Sequence, residues 1–187
     1  PWAREAMRRM PWDAVTLGNH EFDLGCETLA QYVKALPFPV LAANLEKNPA
    51  CPLSTVPLPS TVVKDFDGVK VGIIGVANDE GKDISEACPN TDFANRTKAL
   101  ERAAAELEKA GVKHIIAVTH VGYEADQALA RAVPAIDVIV GGHTHSVLGD
   151  HPHSEGPYPT VIAHDDGSKT LVVQAVSYTH LRAHETE

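Results

Sequence analysis

The sequence predicts an α/β fold of mixed β-sheets flanked by helices, on three observations. Short apolar runs alternate with segments of helical spacing along most of the chain. Two pairs of apolar runs flank the turn signals Asp67-Gly68 and Asp166-Gly167. Apolar residues make up 44% and charged residues 22% of 187, the balance of an ordinary globular domain.

The elements follow in order. Residues 3–10 have helical spacing, and 14–17 form a short apolar strand after Pro11. Residues 27–36 place Leu29, Val33 and Leu36 on one helical side, and Pro37 and Pro39 stop that helix. Residues 40–44 read as a strand, and 45–60, with Pro49, Pro52, Pro57 and Pro59, as loop. Residues 61–66 and 69–76 make a hairpin around Asp67-Gly68. The clearest helix is 96–110, with Leu100, Ala103, Ala104 and Leu107 in one stripe and Gly111 as its stop. A strand at 114–119, a helix at 124–132 and a strand at 136–140 imply a parallel or mixed sheet. Residues 158–163 and 170–174 form a closing hairpin, and no domain boundary is visible before about residue 175.

Composition excludes some function classes. No run of 18 apolar residues occurs, so a membrane-spanning helix is excluded. A net charge of −9 argues against a nucleic-acid partner held through its phosphates. Three cysteines do not make a disulfide scaffold. Cys51 and Cys88 each precede a proline in loop-like sequence and could pair in an exported protein, or equally stay as thiols; Cys26, beside Gly25, reads as a small packed residue.

Ten histidines, against four tyrosines and four phenylalanines, pose the functional question. Three polar clusters follow strands: Gly18-Asn19-His20-Glu21-Phe22-Asp23 after Leu17, Thr119-His120-Val121-Gly122 after Val118, and Gly141-Gly142-His143-Thr144-His145 after Val140. Ligands of open α/β sheets bind outside the carboxyl ends of strands, so the three clusters are expected side by side. Histidine nitrogens suit zinc or a similar metal, and Asn19 offers a neutral oxygen. In an extended segment, His143-x-His145 puts both rings on one side. Asp23 could hydrogen-bond the His20 ring, as carboxylates behind metal-site histidines do, and could also cap the following helix. One histidine after a strand is ordinarily a polar loop residue; three such clusters together point to metal chemistry. His114 reads as structural, and His151, His153 and His164 as solvated.

These clusters resemble the calcineurin-like metallophosphoesterases, in the form used by the 5′-nucleotidase and UDP-sugar hydrolase branch. The resemblance extends through residues 41–45, Val71-Gly72-Ile73-Ile74-Gly75, 137–145 and Gly156-Pro157-Tyr158-Pro159 to Val173-Gln174-Ala175, covering about 3–175. It implies a partial metallophosphoesterase sandwich and a two-metal hydrolase using zinc, manganese or similar divalent ions. Asn19, His120 and His143 would bind one ion and His145 the other, with His20 and Asp23 as the catalytic dyad. The implied substrate is a nucleoside 5′-phosphate; 2′,3′-cyclic nucleotides, NAD and UDP-sugars remain open alternatives. The implied setting is periplasmic or extracellular.

Departures from the family pattern matter. The family leads with Asp-x-His and Gly-Asp elements that supply three metal donors. Before Gly18 this sequence has only Asp13, at a position the family does not use. The chain is therefore expected to be an N-terminally truncated fragment that holds at most one metal weakly and is inactive, an inactive metal-binding module being the alternative for the chain by itself. The family's C-terminal nucleotide-binding domain is expected to be missing from this fragment too. Residues 176–187 look like an adapter-derived tail, so His180 and His184, despite their i, i+4 spacing, are not expected to be ligands.

Overall fold

The computed structural model describes residues 2–46, 48–79 and 88–176. Helix α1 (Trp2–Arg9) leads to β1 (Val15–Thr16), a 3₁₀ turn (His20–Phe22), α2 (Gly25–Ala35), β2 (Val40–Leu41) and β3 (Leu45–Glu46). After a second 3₁₀ turn (Pro52–Thr55) come β4 (Thr61–Phe66), β5 (Val69–Val76), β6 (Asp92–Phe93) and α3 (Arg96–Lys109). The chain continues through β7 (His114–Thr119), α4 (Tyr123–Ala132), β8 (Val138–Gly141), β9 (Thr160–Ala163) and β10 (Lys169–Gln174). This is the mixed-sheet, helix-flanked α/β architecture that the alternation predicts.

The main sheet has the order β4–β5–β7–β8–β10–β9. Its four inner strands run parallel, and an antiparallel strand closes each edge. Parallel neighbours require crossovers, which α3 and α4 supply. At the β4–β5 turn, Asp67 (φ 53°) and Gly68 (φ 90°) both take the left-handed conformation that a two-residue hairpin needs. Asn95 caps α3 by accepting a hydrogen bond from the Lys98 amide at 3.0 Å.

The strands end level. Val76 pairs with Thr119, Val118 with Val140, and Gln174 with Gly141. Two buried clusters support them. One packs Leu100, Ala103, Ala104 and Leu107 of α3 against Ile74, Ile115 and Ile139 of the sheet. The other gathers Leu17, Phe22, Leu29, Val33, Val40 and Leu53 around α2.

Several expectations are corrected. Residues 40–44 hold only the two-residue β2, which pairs with β1 in a separate parallel sheet. The segment read as loop contains β3, whose partner β6 lies far along the chain, with Leu45 opposite Phe93. Asp23 does not cap α2: the N-cap is Leu24, with no side-chain cap bond, because the Asp23 carboxylate is engaged by His20. His180 and His184 lie outside the described residues.

Candidate metal centre

The level ends of β5, β7 and β8, with the chain after β1 tied to them, bring the three polar clusters together. The backbone amide of Asn78, just past β5, donates to the Leu17 carbonyl at 3.1 Å. The Asn78 side-chain Nδ2 donates to the His120 carbonyl at 2.8 Å. This one residue therefore ties the approach to Asn19 to the end of β7. No motif marks it, and its level with the other clusters exists only once the strands pair in register.

His120 and His143 follow adjacent strands, and their ring centroids lie 5.3 Å apart at 56°. Both line, with His145, a cavity of about 290 Å³ whose walls include Trp12, Val15 and Val118. Gly18 approaches the His120 ring closely: a Cβ there would lie 2.8 Å from His120 Nε2 and 2.9 Å from Glu21 Oε2. The Glu21 carboxylate turns back to accept the Gly18 amide at 2.7 Å, a role the sequence reading missed. Asp13 pairs with Lys64 at 3.4 Å.

His143 (φ 82°) and His145 (φ 58°) both adopt the left-handed region. The expected extended His-x-His segment is thus corrected to a kinked one. Non-glycine residues held there are strained by ~1–3 kcal/mol each, and such strain clusters at functional sites. The kink is held by its neighbours. Thr144 Oγ1 accepts from the Tyr123 amide at 3.2 Å and lies 2.8 Å from Ser146 Oγ, while Ser146 Oγ donates to Glu155 Oε2 at 2.8 Å.

His20 and Asp23 form a pair at the exposed edge, His20 Nδ1–H donating to Asp23 Oδ2 at 3.0 Å. Burial lowers the His120 pKa from 6.5 to about 4, and the nearby imidazoles of His143, His145 and His20 push it the same way. The ring is therefore neutral at pH 7, the form that binds a metal. The buried Asn19 Oδ1 has no hydrogen-bond partner among the described residues. An orphaned carbonyl oxygen and a neutral imidazole fit a divalent cation. The fit is partial. Among the described residues, no carboxylate joins these imidazoles in a set whose donor atoms all lie within 4.8 Å of one another, nor do the three rings alone.

One set does meet that distance, Cys26, Cys51 and Cys88. Cys26 and Cys88 are joined in a disulfide with Cα atoms 4.9 Å apart, leaving Cys51 as a buried free thiol. Of the options left open for Cys51 and Cys88, Cys51 is free and Cys88 is paired, and the reading of Cys26 as a merely packed residue is corrected: on the first turn of α2, it is the partner of Cys88. With two sulfurs bonded to each other, the group offers one thiol and does not form a metal centre. His114, His151 and His153 are exposed, and His164 Nε2 lies 2.9 Å from Thr170 Oγ1.

Residues 1–147 match the family described as calcineurin-like phosphoesterase. The 5′-nucleotidase of Homo sapiens is 39% identical over 180 residues, covering 92% of this chain and 31% of that protein. A snake venom 5′-nucleotidase of Crotalus adamanteus is 38% identical, with 92% of this chain and 30% of that one covered. The crystal structure of a 5′-nucleotidase precursor from Thermus thermophilus superposes with a TM-score of 0.80 at 36% identity, covering 92% of this chain and 35% of that one. The chain thus spans about a third of the length of these relatives. With its level strand ends, its gathered histidines and these likenesses, the chain belongs to the calcineurin-like phosphoesterase family and is homologous to its 5′-nucleotidase members.

Proposed function

We propose that this chain is the metal-binding part of a 5′-nucleotidase-type phosphohydrolase, and that its own residues hold at most one divalent cation, weakly, with little or no turnover. The carrying observation is the grouping of His120, His143 and His145 around one cavity, with Gly18, the neighbour of Asn19, close against the His120 ring and no carboxylate closing the set among the described residues. In the complete protein, Asn19, His120 and His143 serve one ion and His145 a second.

A bound cation supplies Lewis acidity toward a phosphoryl oxygen and acidifies a water. The chain's residues do the rest. The hydrogen bond to Asp23 fixes the His20 tautomer and leaves Nε2 as its free nitrogen. Neutral, that nitrogen can accept a proton; once protonated, with Asp23 balancing the ring, it would donate Nε2–H to charge developing on the phosphoryl group or on the leaving oxygen. The left-handed kink fixes the backbone from which His143 and His145 project.

The substrate class is a nucleoside 5′-phosphate or related phosphate ester, read from the relatives' names. The disulfide fits an oxidising, periplasmic or extracellular setting, as does the venom source of one relative. Among the described residues no helix is long and apolar enough to cross a membrane. Residues 1–175 form the phosphoesterase unit and 176–187 a foreign tail.

The test is metal content by mass spectrometry after equilibration with Zn²⁺ or Mn²⁺, alongside release of phosphate from a nucleoside 5′-phosphate. The expected result is at most one equivalent, lost in His143→Ala, and no phosphate release. Two equivalents with turnover would overturn the reading.

A further inference from the structure

Directly behind the candidate centre lies a buried carboxyl that no step above uses. Asp126, on α4, is 0% exposed. It accepts the Thr119 hydroxyl at 2.5 Å through Oδ1 and the Gln174 amide Nε2 at 2.7 Å through Oδ2. Burial raises its pKa from 3.8 to about 7, against the pull of those two bonds and of the Arg96 charge. A carboxyl so placed is costly, and an apolar side chain would close the core more cheaply.

Its partners share one property. Thr119 is the last residue of β7, immediately before His120. Gln174 is the last residue of β10 and the register partner of Gly141, which ends β8 two residues before His143. A Cβ on Gly141 would collide with both Asp126 Oδ2 and Gln174 Nε2, so the carboxyl lies hard against the backbone of that strand end. The Gly141 carbonyl in turn accepts the Ala175 amide at 2.9 Å. One side chain therefore touches the ends of all three strands, two of which carry the facing imidazoles.

We propose that Asp126 is a positioning residue: through Thr119, Gln174 and the Gly141 backbone it locks the ends of β7, β8 and β10 together and sets the mutual orientation of the His120 and His143 rings. The functional weight of that orientation rests on reading these two histidines as metal ligands. The geometry separates this role from plain core filling, because a filler would need neither hydrogen bond. Asp126→Leu removes both bonds while keeping a forked side chain, at some added volume. Thr119→Val removes one without changing shape. Asp126→Asn keeps both, since the Gln174 amide can reverse and accept from the new Nδ2.

The experiment uses the full chain. Imidazole ¹⁵N–¹H correlation spectra of the metal-free protein read ring environment and tautomer, and calorimetric titration with Zn²⁺ reads affinity. Thr119→Val and Asp126→Leu are expected to move the His120 and His143 resonances and to weaken Zn²⁺ binding at least tenfold, while Asp126→Asn stays within about threefold of the parent. If Asp126→Leu does not fold, Thr119→Val carries the test. Unmoved imidazole resonances in the variants that lose a bond would overturn the proposal, even where their stability falls. If the parent shows no Zn²⁺ binding that His143→Ala abolishes, the ligand reading falls, and the metal-free spectra still decide whether Asp126 positions the rings.

Discussion

His120 concentrates the chemistry of the centre in one ring. Its folded pKa lies near 4 against 6.5 unfolded, so the unfolded chain takes the proton first as pH falls. Its contribution to stability is complete above pH 6.5 and is lost as pH falls toward 4. Urea midpoints at pH 7 and pH 4.5 should therefore converge between the parent and His120→Gln, with the parent losing the more. Gly18 makes a second residue-scale test. A methyl group there would press on His120 Nε2 at 2.8 Å, so Gly18→Ala should destabilise the chain by ~1–3 kcal/mol in urea melts and shift the His120 resonances. Asn19, His20 and the histidine clusters are legible in the sequence because each is spelled out contiguously. Asn78 and Asp126 are not, since their roles exist only once β5, α4 and the strand ends are packed together.

At the scale of elements, what the sequence reveals depends on how local the signal is. The β4–β5 hairpin and α3 are readable to within a residue or so, because a turn dipeptide and a helical stripe lie inside the element itself. The β3–β6 pair is invisible beforehand: two residues on each side meet through contacts that no periodicity encodes. The same holds for the disulfide, whose cysteines are 62 residues apart. Leu100 on the inner face of α3 is 0% exposed and Leu24 is 79% exposed. Leu100→Ala should cost ~2–5 kcal/mol in thermal or urea unfolding, and Leu24→Ala less than about 0.5 kcal/mol. A loop of that length closed by a cross-link is worth up to ~4 kcal/mol. Cys88→Ser should lose much of this, and dithiothreitol should lower the parent's melting temperature toward that of the variant.

For the whole molecule, the parallel strands place the core on their flanks and the polar clusters at one set of ends. Packing and chemistry are thereby separated in space. A ligand that binds only the folded chain stabilises it by ~2.7 kcal/mol at a hundredfold excess over its dissociation constant. Zn²⁺ should accordingly raise the melting temperature of the parent and leave that of His143→Ala unchanged, with chelator reversing the shift. The buried Cys51 thiol, 3.3 Å from Cys26 Sγ and 4% exposed, has a consequence of another kind. An alkylating reagent reaches it only when the cluster around α2 breathes open. Its labelling rate in native buffer is therefore a clock for that opening, counting excursions of one half of the molecule that melting of the whole would never resolve.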